Sequence, residues 1–515
     1  MIVLDGEHLT PEQVVAVARH GERVRLDEQA RRRVARGHAW VEDMLTADRP
    51  VYGINTGFGI FAERQISGRD AARLSRNLIL SHAVGTGDPL PQEVVRAAML
   101  IRANTLAKGH SGVRPEVIET LLDMLNRGVT PVIPSQGSLG SSGDLAPLSH
   151  LALVFTTDAD DREADSGEAW YEGQRMSGKA AMRAASIPRL VLGAKEGLAV
   201  NNGATFSAAL GALAVHDAGV LLRTADVALA MSLEAMLGVS AAFDERIHRA
   251  RNLPGQMRVA RRVRGLTAGS TLLDSAGRVQ DAYSLRCAPQ VQGAAVEALA
   301  FVRSVIEREI NAATDNPLLF GPGIALSGGN FHGEPVGMVM DFLAIALTEV
   351  AGISERRTFR LTDEKLSAGL PPMLVDRPED AGLNSGLMMA QYTAASLVLE
   401  SQTLASPDSV YSLPTSAEQE DHNANAMTAA RHARQVVRNT AHVLAIELYT
   451  AARALDLRLR ARPDARLGRG VAEAYRRIRQ AVPYQPGDAF WGPEIERVHR
   501  MVCQGELDID FSEEL

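Results

Sequence analysis

Gly203-Ala-Thr-Phe-Ser-Ala-Ala-Leu-Gly-Ala-Leu-Ala-Val-His-Asp-Ala-Gly-Val-Leu-Leu-Arg-Thr-Ala-Asp-Val-Ala-Leu-Ala-Met-Ser-Leu-Glu-Ala-Met-Leu237 is the stretch on which the fold turns. Apolar side chains lie almost all round its helical wheel, Ala and Leu dominate, and no proline interrupts it. A helix with so little polar surface belongs in the interior. Residues 291–310, 336–357, 385–401 and 424–455 share this character, giving at least five long helical segments and predicting a helical bundle. Alternating β-branched runs are scarce and aromatic residues make up only 4%, so the expected class is mainly α. The most apolar stretch, 336–353, contains Asp341 and Glu349, too costly for a lipid span, and reads as a buried helix.

A chain of 515 residues with 46% hydrophobic and 23% charged residues reads as an ordinary folding protein. The net charge of -8 is modest and Arg and Lys are scattered among acids, which argues against a nucleic-acid partner. Cys287 and Cys503 fit neither a disulfide framework nor a metal-ligand spacing, so a reducing compartment is expected. Residues 1–10 carry Asp5 and Glu7 and lack the basic-then-apolar layout of a signal peptide, so the expected compartment is the cytoplasm. The acidic run 158–168 reads as a solvated surface loop. The expected division is an N-terminal region, 1–200, and a region of long helices with a helical C-terminal part, 201–515.

Irregular glycine-rich pieces fall at 52–59, 81–87, 137–143 and 327–331, and chemistry usually sits on such loops. The third belongs to Gly137-Ser-Leu-Gly-Ser-Ser-Gly-Asp-Leu-Ala-Pro147. One reading is a tight loop before a helix. A phosphate cradle is a weaker one, since no strand pattern precedes the loop and no Lys follows its last glycine. A third is autocatalytic ring closure: the Gly143 amide nitrogen attacks the Ser141 carbonyl, and water is lost to leave an imidazolone. Gly143 suits the attack because it has no Cβ. Elimination of the Ser142 hydroxyl then gives an exocyclic methylidene to which an amine can add.

The segment resembles the signature of the aromatic amino acid ammonia-lyases, whose Ala-Ser-Gly triplet forms methylidene-imidazolone. Tyr52-Gly-Ile-Asn-Thr-Gly-Phe-Gly59, Lys195-Glu-Gly-Leu-Ala199, Tyr283-Ser-Leu-Arg286, Asp315-Asn-Pro317, Gly329-Asn-Phe-His332 and Gln419-Glu-Asp-His422 resemble further motifs of that family, in its order. One departure is Ser141 where the family usually has Ala; its side chain would be a ring substituent outside the closing bonds. The resemblance implies a long central helical bundle of the ammonia-lyase/fumarase-like type, with the electrophile loop in an N-terminal cap region. It also implies a methylidene-imidazolone from Ser141-Ser142-Gly143 with no metal or diffusible cofactor, and a small amino-acid substrate. The assembly implied is a homotetramer with shared active sites, without nucleic acid or membrane.

Eliminating ammonia requires activating the amino group and removing a weakly acidic β-proton. The resemblance gives the proton to Tyr52; a free phenol has a pKa of roughly 10, so its neighbours must favour the phenolate. Alone, Tyr52 would read as a turn aromatic on Phe58. Arg286 is implied to fork onto the substrate carboxylate, where by itself it would read as a structural ion pair. Tyr283, Asn202 and Gln280 are implied to support the ring and orient the substrate, and could equally satisfy buried backbone. Phe331 is implied to wall the substrate side chain, or is a plain core residue.

Ser81-His82 and Gln419-Glu420 resemble the histidine-directed branch, and an imidazole needs two polar partners where a phenyl ring needs none. Glu420 shares the catalytic assignment with Tyr52. Without this context His82 and Glu420 would be a core histidine and a helix-cap glutamate. The implied reaction is L-histidine to trans-urocanate and ammonia, a step of histidine catabolism. A tyrosine or phenylalanine ammonia-lyase or 2,3-aminomutase is the alternative, and a non-catalytic scaffold with ring closure blocked by Ser141 is the third reading.

Overall fold

The computed structural model describes residues 1–46, 50–57 and 64–509. It is mainly α, with strands confined to short two- and three-stranded ladders. The five expected long helices are Thr205–Ala235, Ala288–Glu309, Glu334–Thr362, Met388–Leu404 and Ala426–Ala461. The fourth starts later than residue 385 because Gly386 takes a left-handed φ of 60° and a Cβ there would sit 2.2 Å from the Met373 carbonyl oxygen.

Two expectations need correction. Ser81 and His82 are not loop residues but close the Ala71–His82 helix. The acidic run is more than a solvated loop: Asp161 pairs with Arg189 and, at 3.0 Å, with Lys179. Asp158 pairs at 3.4 Å with Arg76, itself buried, so the acids answer guanidinium groups that would otherwise lie underneath without a counter-charge.

By its contacts the chain forms two units, each discontinuous in sequence, where the sequence reading drew one boundary at 200/201. The first holds residues 1–216, 303–341 and 407–431. Its Gln92–Ala107 helix is buried from Ala97 through Ala107 without a break. Local signals set its shorter helices. Thr10 and Gln13 form a capping box at Pro11–His20, and Pro115 opens a helix that Gly128 closes in the left-handed region.

The second unit holds residues 217–302, 342–406 and 432–515. At its centre Glu447, fully buried, accepts from Ser232 Oγ at 2.7 Å, Ser354 Oγ at 2.6 Å and the Arg357 guanidinium at 2.7 Å. Arg357 also donates to Gln292 Oε1 at 3.3 Å, so one polar node ties together four long helices. Helices Thr205–Ala235 and Glu334–Thr362 are long and apolar enough to span a membrane by composition. Yet 78% and 61% of their most apolar windows are buried inside the protein, which is the behaviour of core helices.

Both oxygens of Glu447 depend on Arg357, so Arg357→Met leaves a buried carboxylate without its counter-charge. The expected loss is about 3–5 kcal/mol of stability, read as a lowered urea midpoint; a midpoint within error of the parent chain would remove the node from its central place.

Candidate active site

The loop after Gly137 is held by backbone before any side chain takes part. Gly143 bridges Gly203: the Gly203 N–H donates to the Ser142 carbonyl at 3.3 Å and the Asp144 N–H to the Gly203 carbonyl at 2.9 Å. A Cβ on Gly143, whose φ is 82°, would lie 2.2 Å from the Gly203 nitrogen, so no other residue fits. Asn202 Nδ2 adds a bond to the Ser142 carbonyl at 2.6 Å.

Asp144, fully buried, joins this loop to the helix that opens at Thr205. It accepts from the Ser207 N–H at 2.8 Å, from Ser207 Oγ at 3.0 Å and from Ser138 Oγ at 2.7 Å. Burial raises its pKa against the pull of these bonds. Glu309 is pushed up to about 7, first by burial and then by the charge of Asp144. Arg102, wholly buried, opposes both shifts and is itself lowered to about 10 by burial.

Beside the loop opens a cavity of about 1670 Å³, lined entirely by residues of the first unit. It gathers Tyr52, His82, Ser141, Ser142, Asn202, Phe331 and Glu420, seven of the sequence-predicted residues. Gly143 sits behind Ser142 in the loop. Both oxygens of Glu420 accept a hydroxyl: Oε1 from Ser142 Oγ at 2.5 Å and Oε2 from Thr415 Oγ1 at 3.1 Å. His82 meets Ser81 Oγ through Nδ1 at 2.9 Å, while that hydroxyl donates to the Leu78 carbonyl at 3.2 Å. The hydroxyl hydrogen being spent there, Nδ1 carries the imidazole hydrogen and Nε2 is left as an acceptor. Burial lowers the His82 pKa, opposed by the Leu78 backbone and the charge of Glu420, which favours this neutral form.

Gln280, Tyr283 and Arg286 do not line this cavity. They lie in the second unit, where Gln280 is exposed and Tyr283 is 70% exposed, with the Arg286 guanidinium 4.8 Å over its ring. Phe58 and Gly59 of the Tyr52 motif lie outside the described residues. The sequence reading missed Asn423, which accepts from Ser141 Oγ and donates to the Leu413 carbonyl, holding the segment that carries Glu420. Its signal was adjacency to Gln419-Glu-Asp-His422. It also missed Ser138, whose serine spacing to Asp144 is visible only once the loop is known to turn back.

A family model for aromatic amino acid lyase matches residues 9–480. The chain is 50% identical over 516 residues to a histidine ammonia-lyase of Caldanaerobacter subterraneus, covering 100% of this chain and 98% of that protein. Among solved structures, histidine ammonia-lyase from Trypanosoma cruzi matches with a TM-score of 0.89 at 38% identity, over 98% of this chain and 94% of that one. Tyrosine aminomutase from Streptomyces globisporus matches with a TM-score of 0.91 at 35% identity, over 98% and 97% of the two chains.

The Glu309 carboxyl gives a pH signature with a definite sign. Its folded pKa stands above the ordinary value, so its contribution is fully present below about 4.5 and is lost as pH rises through about 7. Melting temperatures of the parent chain and Glu309→Gln should therefore converge on one trend at low pH and separate between pH ~5 and ~8, with the parent falling relative to the variant. A constant difference across that window would show that the carboxyl carries no raised pKa.

Proposed function

The chain belongs to the aromatic amino acid lyase family and is a carbon-nitrogen lyase, and from that premise we propose that it removes ammonia from L-histidine to give trans-urocanate. The observation that carries the substrate is the polar pair in the cavity: a neutral His82 with Nε2 free to accept, and the Glu420 carboxylate. A protonated imidazole can donate to both at once, whereas a phenol offers one donor and a phenyl ring none.

Ser141-Ser142-Gly143 fit a methylidene-imidazolone. Gly143 lies in a cradle that a Cβ would fill, and Asn202, bonded through Nδ2 to the Ser142 carbonyl, has its Oδ1 buried without a hydrogen-bond partner. Asn202 and the backbone of Gly203 would hold the ring. When formed, the group supplies an electrophile for the amino nitrogen of the substrate. Ser142 Oγ, the hydroxyl that formation removes, is the donor to Glu420 Oε1, so its loss leaves that oxygen open to an imidazole N–H. Tyr52 takes the β-proton, sharing acid-base work with Glu420 across the cavity. Phe331 gives the wall that keeps water from the reacting carbon. The enzyme works in the cytoplasm without metal, diffusible cofactor, nucleic acid or membrane.

We assign Gln280, Tyr283 and Arg286 to the same site as contributions from other subunits of a homotetramer, with Arg286 on the substrate carboxylate and Tyr283 beside the ring. Supporting this, Arg286 Nε is buried without a hydrogen-bond partner. The second unit also exposes Phe301, Phe342, Ile345, Met389, Tyr392 and Leu399, an apolar surface of the kind that subunit contacts cover. Arg64 is the guanidinium among the lining residues of the cavity itself and is the competing anchor.

Two measurements decide these points. The purified chain should weigh two water molecules less than its sequence and give urocanate absorbance from L-histidine but no hydroxycinnamate absorbance from L-tyrosine, and Ser142→Ala should lose both the mass deficit and the product. A folded parent chain of unmodified mass would defeat the mechanism. For the shared site, Arg286→Ala should raise KM where Arg64→Ala does not, and mixing inactive Ser142→Ala with Arg286→Ala through a dissociation step should restore activity at L-histidine concentrations too low for Arg286→Ala alone to turn over. Mixed tetramers that stay inactive would make each site the property of one chain.

A further inference from the structure

Under the proposed function, Glu420 meets a substrate nitrogen only if the segment that carries it keeps its place beside the electrophile loop, and that segment does not fix its own place. Ser416, Ala417 and Glu418 take left-handed φ values, and Thr415, which bonds Glu420 through backbone and side chain, belongs to the same segment. Among the described residues, two hydrogen bonds join residues 419–422 to other parts of the chain. One runs from Ser142 Oγ to Glu420 Oε1 at 2.5 Å, and the other from His332 Nε2 to the His422 carbonyl at 3.1 Å. The first is lost when Ser142 gives up its hydroxyl in ring formation. The second then remains, with Asn423 behind it still accepting from Ser141 Oγ.

His332 has the geometry of a strut. Its Nδ1 accepts from the Glu334 N–H at 3.3 Å, at the first residue of the Glu334–Thr362 helix, and the His422 carbonyl can only accept, so Nε2 carries the ring hydrogen. One nitrogen is thus braced on a helix start and the other on the Glu420 segment. The His332 and His422 rings lie within 12° of parallel with centroids 6.0 Å apart, and both line the cavity. The next residue docks on the electrophile loop: the Gly333 N–H donates to the Gly140 carbonyl at 2.7 Å, and a Cβ on Gly333 would lie 2.6 Å from that oxygen. His332 therefore reaches from backbone fixed to the electrophile loop to the carbonyl two residues beyond Glu420.

We propose that His332 is a positioning residue for substrate recognition: its Nε2–H bond to the His422 carbonyl keeps Glu420 in register with the electrophile loop once the Ser142 hydroxyl is gone. This role rests on the lyase reading of the cavity and gives it a residue that acts through Glu420. Before ring formation the Ser142 hydroxyl shares the task. Afterwards, freeing the His422 carbonyl lets Glu420 drift from the place where an imidazole N–H arrives, and a hydrogen bond to a misplaced carboxylate weakens steeply with distance and angle. Ring formation itself does not depend on His332, because Gly143 and Gly203 hold the loop by backbone.

The urocanate affinity of the full-length chain, measured by calorimetry so that no turnover is needed, tests the strut. His332→Leu should keep the two-water mass deficit, which shows that the chain has folded and closed its ring, and should bind urocanate about tenfold more weakly. His332→Gln, whose side-chain amide brings a donor to the place of Nε2, should come within about threefold of the parent, a rescue that a merely space-filling role would not give. Where His332→Leu does not fold, His332→Asn, one bond shorter than the glutamine, takes its place. Glu420→Ala should itself weaken binding, and adding His332→Leu to it should cost no more than about threefold further, since a residue acting through Glu420 then has nothing left to position. With a parent that shows the deficit and binds urocanate, an unchanged affinity in His332→Leu, a glutamine variant as weak as the leucine one, or losses that multiply in the double variant overturn the role of His332 alone. A parent with neither deficit nor urocanate binding overturns the lyase reading and this role with it.

Discussion

The contact between Gly143 and Gly203 is the constraint from which the site is built. Two backbone segments approach with no side chain between them, and each supplies a hydrogen bond to the other. Gly203 leads directly into the long Thr205–Ala235 helix, so the loop that carries Ser142 is registered against a long, largely buried helix. Asp144 completes the joint by accepting from Ser207 in the first turn of that helix. A loop fixed in this way can keep Ser141, Ser142 and Gly143 in one geometry, and an intramolecular attack depends on such pre-orientation.

Glu420 is held by opposite means. Ser416, Ala417 and Glu418 all take left-handed φ values, between 51° and 68°, at roughly 1–2 kcal/mol for each L-residue. Such a run persists only where its surroundings over-determine it. Here Thr415 pairs with Glu420 through backbone, and Asn423 is tied to the Leu413 carbonyl and to Ser141. At the other end Asp341 accepts from the N–H groups of Asp408 and Ser409 at 3.0 and 2.9 Å. One of the two residues that argued against a membrane span in the sequence, Asp341, is thus an anchor of the segment that carries Glu420.

Legibility followed the physics of each feature. Long apolar helices can be read without knowing their partners, and all five were: burial on almost every side explains Thr205–Ala235, while Met388–Leu404 buries only Ala390, Ala394, Val398 and Ser401 and was legible from its length and apolar content. Helix ends and loops depend on contacts from elsewhere: Gly386 cannot be seen to face Met373, nor Ser81 and His82 to finish a helix, until the chain is folded. The family-like motifs were legible as words but not as contacts. Lys195 and Asp315, from two of them, form a fully buried ion pair to which Ser111 Oγ adds a bond at 2.8 Å. Three named residues, Gln280, Tyr283 and Arg286, are not among those that line the cavity, and sequence order alone does not say which named residues come together.

The same limit explains why the electrostatics of the cavity differ from what a list of residues suggests. On paper Glu420, Tyr52 and His82 are three titrating groups of ordinary character. In the structure both oxygens of Glu420 are occupied by hydroxyls, one of them the hydroxyl of Ser142, and His82 is held neutral by burial with its tautomer fixed through Ser81. Under the proposed function, recognition and ring formation meet at one hydrogen bond: loss of the Ser142 hydroxyl removes the donor from Glu420 Oε1 and adds an acceptor site there, beside the lone pairs that both carboxylate oxygens already keep, where a substrate imidazole would present its N–H.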